Sequence, residues 1–251
     1  MFGEFASNTS YQLKDHARCL AALEGDTDRN TFILATFALR GNNEVHVLEF
    51  NEDTNEVCCQ GVYAHPYEVW GLSSCPTPEH QELVVMTHSS GTEQCTSLWR
   101  MNGIGGRGPG AGGRGPLEET PQPGHFPKPM SELLQLGGPM PPRDHCGILW
   151  NSVLSEQLAT VQRSQARFWQ LSHGRSASSA AEISAMACPA DEGFSCGCWD
   201  PHHAHSLTLA TGDGGLFTVD ARSMKFGTAQ ARYGSRARLG LAWPCLICCS
   251  Y

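Results

Sequence analysis

Three groups of residues in this 251-residue chain have side chains that could do chemistry, and their spacing decides each case. The run His202-His203-Ala204-His205 could hold a divalent metal through imidazole nitrogens and serve a metallohydrolase. It follows Trp199-Asp200-Pro201, however, which reads as the end of a strand and a surface turn. Twelve cysteines invite zinc or disulfides. Cys58-Cys59, Cys196-Gly197-Cys198 and Cys248-Cys249 do not have the spacing of paired zinc knuckles, and Cys245-Leu246-Ile247-Cys248 is half a site without a second half. A reducing compartment would leave these thiols free. Gly103-Ile104-Gly105-Gly106-Arg107-Gly108 matches the dinucleotide-binding pattern letter by letter. That chemistry needs a helix to begin in the loop, and Pro109 and Pro116 follow among more glycines, so no helix is expected. No Gly-x-Ser-x-Gly elbow or Walker loop is present. The expectation is no catalytic residue, no metal and no cofactor.

The elements around these residues read as strands. Residues 194–225 contain most of one β-propeller blade: a strand ending at Trp199, an apolar run Leu207–Ala210, the turn Gly212-Asp213-Gly214-Gly215, and a third strand Leu216–Val219. Asp-Gly and Gly-Gly between apolar runs signal hairpins, because tight two-residue turns need positive φ at their centre. The same strand ending recurs at Phe50, Trp99 and Trp169 as at Val219. Once the Gly/Pro-rich stretch 102–130 is set aside, the intervals are close to the roughly 40–45 residues of WD-type repeats. An opening signal recurs too, with His65 five residues before Trp70 and His145 five before Trp150.

Near the N-terminus, Ala17–Leu23, Thr31–Thr36, Glu44–Phe50 and Glu56–Tyr63 predict a four-stranded antiparallel meander, the size of a blade. The third unit is the least regular, since Leu158–Phe168 lacks a Gly or Pro turn, and an amphipathic helix over Ser155–Leu171 is its rival. The fold class expected is all-β: a WD40-type β-propeller of about four blade-like units. The organisation expected is an N-terminal extension over 1–10, a partial propeller over 11–225, a disordered insertion over 102–130 and a flexible loop over 172–181. Residues 226–251 form an atypical basic, cysteine-rich tail.

Composition excludes several functions. With Lys+Arg 17 against Asp+Glu 25, the net charge of −8 disfavours nucleic acid and anionic membranes as partners. No run approaches the roughly 18 apolar residues that cross a bilayer, and residues 1–10 lack the hydrophobic core of a signal peptide. A cytoplasmic location is expected, without membrane insertion.

Several segments carry a family resemblance. His65-Pro66-Tyr67-Glu68-Val69-Trp70-Gly71-Leu72-Ser73-Ser74-Cys75-Pro76, Ser97-Leu98-Trp99-Arg100-Met101, Asn43–Leu48, Trp199–His202 and Asp220–Lys225 occur in the order of the EARP and GARP complex-interacting protein family, which the chain resembles. The resemblance covers 11–101 and 194–225 well and 131–171 poorly. It implies a WD-repeat, non-catalytic scaffold that binds subunits of vesicle-tethering complexes. These complexes act in endosomal recycling and endosome-to-Golgi traffic, and the location implied is peripheral on endosomes or the trans-Golgi network. The family ring is larger than four units, so an open, incomplete ring is expected. After about residue 225 the resemblance stops; no acidic residue follows Asp220, and the chain is expected to be truncated there. An alternative role is suggested by Val219-Asp220-Ala221-Arg222, similar to the Trp-Asp-x-Arg box of substrate receptors for cullin-type ubiquitin ligases. No contact residues can be chosen among the loops after Gly61, Gly91 and Thr211.

Overall fold

The computed structural model describes residues 10–38, 42–90, 92–104, 127–173, 178–227 and 231–232. Apart from a single 3-10 turn at Pro78–His80, the regular elements among them are strands. β1 (Ala17–Ala22), β2 (Asn30–Thr36), β3 (Asn43–Asn51) and β4 (Glu56–His65) form the first antiparallel meander. β5 (Val69–Ser74), β6 (Leu83–Ser90), β7 (Glu93–Met101) and β8 (Lys128–Gln135) form the second. The third runs β9 (His145–Trp150), β10 (Gln157–Gln162), β11 (Gln165–His173), β12 (Ser178–Ala187). The fourth is β13 (Phe194–Trp199), β14 (Ser206–Thr211), β15 (Gly215–Asp220) and β16 (Lys225–Phe226). A further short strand, β17 (Ala231–Arg232), also pairs with β15. The first two meanders share one compact unit and the last two another.

Alternating apolar residues explain the strands. In β14, Leu207, Leu209 and Thr211 are buried while Thr208 and Ala210 between them are half-buried, the period of a strand with two different faces. In β2, Thr31, Ile33 and Ala35 are buried and Phe32 points the other way. Turn chemistry closes the hairpins. Asp213 Oδ1 accepts from Thr211 Oγ1 at 2.5 Å and from the Gly215 amide at 3.3 Å, and Gly214 adopts φ +85°. Between β3 and β4, Asn51 Oδ1 accepts from the amides of Asp53 and Thr54, and Asn55 takes the left-handed conformation at φ 55°.

In the first unit the core lies between two meanders. Cys19, Ile33, Val45, Val47 and Tyr63 pack on Val69, Val84, Met86, Trp99 and Met101. The two sheets also join by parallel pairing of β4 with β8, at Tyr63–Lys128 and Ala64–Pro129. In the second unit, Ala159, Val161 and Phe168 pack on Phe194, Trp199, Leu207, Leu209 and Val219.

The third meander settles the rivalry between helix and strands in favour of strands. Leu158 pairs with Trp169 and Val161 with Ala166 across the two-residue turn Arg163-Ser164. That turn needs no glycine because neighbouring backbone holds it. The Arg163 amide donates to Asp144 O, and Arg163 O and Ser164 O accept from the amides of Phe194 and Cys188.

Two boundaries differ from expectation. Residues 105–126 and 174–177 lie outside the described residues. Lys128–Met130, assigned above to the insertion, open β8, and Met130 packs on the core. Ser172, His173 and Ser178–Ala181, assigned above to a flexible loop, are strand residues, with Ser172 paired to Ser179 and His173 to Ser178. Serine and alanine have weak strand preference. Here the unsatisfied backbone of β11 decides the matter. From residue 226 on, only Phe226, Gly227 and Ala231–Arg232 are described; Phe226 pairs with Val219.

The fourth meander leaves no room at Gly197. A Cβ there would stand 2.7 Å from Leu209 Cδ2, 2.9 Å from Thr208 O and 3.0 Å from Leu149 Cδ1. Gly197→Ala is expected to cost roughly 1–3 kcal/mol by overpacking, read as a lower thermal midpoint of the purified chain. An unchanged midpoint would mean that β9 and β13 do not approach this closely.

Candidate functional site

The groups singled out for chemistry do not assemble into a reactive centre among the described residues. His202 and His203 sit in an exposed turn organised by Asp200. Asp200 Oδ1 accepts from both of their amides at 2.8 and 3.1 Å, and Asp200 Oδ2 lies 2.9 Å from His203 Nδ1. The amide of His202, with the His203 ring, holds the Asp200 carboxyl below the usual range. No group of three or more His, Cys, Asp or Glu with metal-holding geometry occurs among the described residues. No disulfide joins any two of the nine described cysteines, and Cys245, Cys248 and Cys249 lie outside the described residues. Gly103, at φ +84°, ends β7 in a turn; Gly105–Gly108 are outside the described residues.

The Val219-Asp220-Ala221-Arg222 box also resolves into local structure. Val219 and Ala221 are buried in the core of the second unit. Asp220 Oδ1 accepts from the Arg222 amide at 2.9 Å and from its Nε at 3.3 Å, and these bonds hold the Asp220 carboxyl below its usual range. The Arg222 side chain is 69% exposed. Of the three loops named as contact candidates, the one after Gly61 does not exist as such. Gly61 is buried in the middle of β4 opposite Val47, and the strand continues to His65. Gly91 is outside the described residues, and the turn after Thr211 is the one Asp213 closes.

Two features of the first unit stand out instead. The first is a buried polar cluster. His65 and His88 are 1% and 3% exposed, and their rings lie 4.6 and 5.8 Å from the Trp99 ring. His65 Nδ1 is 2.8 Å from Tyr67 O, and His88 Nε2 is 3.2 Å from Ser97 Oγ. Their other nitrogens, His65 Nε2 and His88 Nδ1, are buried without a hydrogen-bond partner, as is Trp99 Nε1. Burial, reinforced by the charge His88 would carry, lowers the pKa of His65 to about 4. Burial also lowers that of His88, with Glu132 opposing it. Both rings are therefore neutral near pH 7, and their role is structural.

The second feature lies where β1 and β5 begin. The Arg18 guanidinium carbon sits 4.3 Å above the Trp70 ring centre and 5.6 Å from that of Phe37. Phe37 meets Trp70 edge-on, with centres 4.9 Å apart at 86°. Trp70 Nε1 donates to Ser89 Oγ at 2.6 Å, and that hydroxyl faces Glu68 Oε2 at 3.4 Å, so the indole is anchored. Backbone bonds tie the surrounding chain, from Phe37 N to His16 O and from Ser89 N to Glu68 O. Tyr67, three residues before Trp70, belongs to the first feature: it is 37% exposed and stacks on His88 at 4.9 Å and 10°. Trp70 served above only as a blade marker. The missed signal was a tryptophan left half-buried where a cation could cover it, and that needs the adjacency of β1 and β5 to be known.

A family model described as the EIPR1 beta-propeller matches residues 5–235, running past residue 225, where the resemblance stated above stops. The WD repeat-containing protein DWA2 of Arabidopsis thaliana is 27% identical over 88% of this chain and 56% of its own length. The EARP and GARP complex-interacting protein 1 of Rattus norvegicus is 24% identical over 85% of this chain and 54% of its own. The EARP-interacting protein homolog of Dictyostelium discoideum is 37% identical over 79 residues. Among solved structures, the WD40 domain of Toxoplasma gondii coronin superposes with a TM-score of 0.54 at 13% identity, over 82% of this chain and 45% of that one, a likeness of fold alone. The chain spans about half the length of the first two of these relatives.

Proposed function

Because the chain belongs to the EIPR1 β-propeller family, we propose that it is a non-catalytic WD-repeat scaffold that binds subunits of the EARP and GARP vesicle-tethering complexes. The family match over residues 5–235 carries this reading. Relatives bearing the name EARP and GARP complex-interacting protein, or EARP-interacting protein homolog, support it. The architecture agrees with the role, since rigid strands carrying surface loops present fixed contact points to other proteins. None of the described helices is long and apolar enough to cross a membrane. Association with the tethers would bring the protein to endosomes and the trans-Golgi network.

The test is capture of purified EARP and GARP complexes on the immobilised chain. Retention of either complex at physiological salt is expected, and retention of neither would overturn the reading. The cullin-adaptor alternative predicts a different result: retention of the adaptor, lost on Arg222→Ala, without retention of the tethers.

A further inference from the structure

We propose that the surface formed by Arg18, Phe37 and Trp70 docks an acidic segment of a partner protein, with a partner carboxylate received by the Arg18 guanidinium. The argument begins with what Arg18 lacks. It is exposed, and it has no ion pair with any described residue. The chain around it is acidic, with a net charge of −8. An arginine in such a protein ordinarily finds a carboxylate, as Arg29 does with Asp26 and Glu49. Arg18 instead sits over an indole, its guanidinium carbon 4.3 Å from the Trp70 ring centre.

This placement leaves the rim of the guanidinium, where its N–H donors point, free for a partner. It also fixes the side chain before binding, so the rotamer entropy a flexible arginine would lose on binding is already spent. A planar fork presented this way fits a carboxylate with two parallel hydrogen bonds. The neighbours complete a contact surface. Trp70 is held by Ser89 and buttressed edge-on by Phe37. Tryptophan, tyrosine and arginine are the residues that dominate binding energy at protein interfaces. Lys14, exposed on the segment leading into β1 and not in an ion pair with a described residue, adds a second positive charge four residues before Arg18. Complementary charge thus selects an acidic, apolar-anchored peptide. Nucleic acid and anionic membrane are disfavoured because each needs a positive field wider than one guanidinium and its neighbouring lysine supply.

This proposal rests on the reading of the chain as a protein-binding scaffold, but its test does not need the tethers. A fluorescein-labelled dodecapeptide of Glu and Asp around a central Phe-Leu pair is titrated with the full chain and followed by fluorescence anisotropy. The same peptide with Gln and Asn in place of Glu and Asp is the control. The acidic peptide is expected to bind at least several-fold more tightly than the control. Arg18→Gln should weaken it by about tenfold or more, the loss expected for a hydrogen bond to a charged group. Arg18→Lys keeps the charge but not the planar fork, and should lose several-fold. Trp70→Leu should weaken binding similarly; if that variant does not fold, Arg18→Gln alone decides, since an exposed arginine can be replaced without disturbing the core. Equal affinity for acidic and neutral peptides, or an Arg18→Gln affinity equal to wild type, would overturn the proposal. So would Arg18-dependent binding to phosphatidylserine vesicles in place of the peptide. Failure here with tether capture intact would remove this surface alone, and the converse result would remove the choice of tether and leave the surface standing.

Discussion

Trp199→Ala is expected to lower the stability of the second unit by about 3–5 kcal/mol, the cost of emptying a buried aromatic site. Trp199 is 9% exposed and meets Phe168 edge-on at 6.3 Å and 78°. It also reaches from the fourth meander to the third, where its Nε1 donates to Leu149 O at 2.9 Å. Removal thus opens a cavity and leaves a backbone carbonyl without that donor. Trp199→Phe is the milder change. It keeps one aromatic ring while losing the donor and part of the buried volume, for about 1–3 kcal/mol. In thermal melts, a loss of this size for the alanine variant corresponds to a midpoint lower by on the order of 10 °C. Near-equal midpoints for wild type and Trp199→Ala would show that the third and fourth meanders do not depend on this contact.

The second large effect is acid sensitivity of the first unit. His65 titrates near 4 in the folded chain, against about 6.5 for an unfolded histidine. The unfolded state therefore binds the proton first as pH falls. Stability from the neutral ring is fully present above about pH 6.5 and is lost as the pH drops through the folded value. The difference amounts to roughly 3 kcal/mol between pH 7 and pH 4. His88, lowered by burial in the same cluster, and His46, lowered by burial with Glu44 opposing, act in the same direction. Carboxylates titrate in this range too, so the informative quantity is a difference. His65→Phe should remove much of the slope of denaturation midpoint against pH below 6.5 while conserving contact with Trp99. A variant profile parallel to that of wild type would rule His65 out as the cause.

How much of this could be seen beforehand differs from one meander to the next. The hairpin β14–β15 was legible because Leu207 and Leu209 alternate with polar neighbours and Gly212-Asp213-Gly214 encodes its own turn. The strand ends near Phe50, Trp99 and Val219 were legible because each residue is large and apolar with a polar turn soon after; Trp169 was misread as an end, since β11 runs on to His173. The β10–β11 hairpin was not, since Arg163-Ser164 has no turn chemistry and draws its hydrogen bonds from Asp144, Phe194 and Cys188. The start of β12 was hidden for a related reason: Ser178–Ala181 has small side chains and becomes strand only where β11 pairs with it.

The candidate site was half visible. His65 and Trp70 drew notice as spacing marks, but nothing near either in sequence shows that His65 is sealed beside His88 and Trp99. Nor does it show that Arg18 lies on Trp70. Both arrangements arise from strands meeting across two meanders, and composition at a single position carries no trace of that. Cys196–Cys198 and His202–His205, set aside as metal sites on their spacing and context, lie along one strand and one turn.

The Arg163-Ser164 turn also bears on the order of events as the chain folds. A hairpin with its own turn signal, such as β14–β15, can close by itself on the microsecond timescale typical of hairpins. The β10–β11 corner gains its backbone partners only when residues 144, 188 and 194 have arrived, the last from the first strand of the next meander. Kinetically, then, the third meander is not an independent module. Its completion waits on the opening strand of the fourth, and the smallest cooperative unit in this half of the molecule is larger than the repeat that the sequence displays.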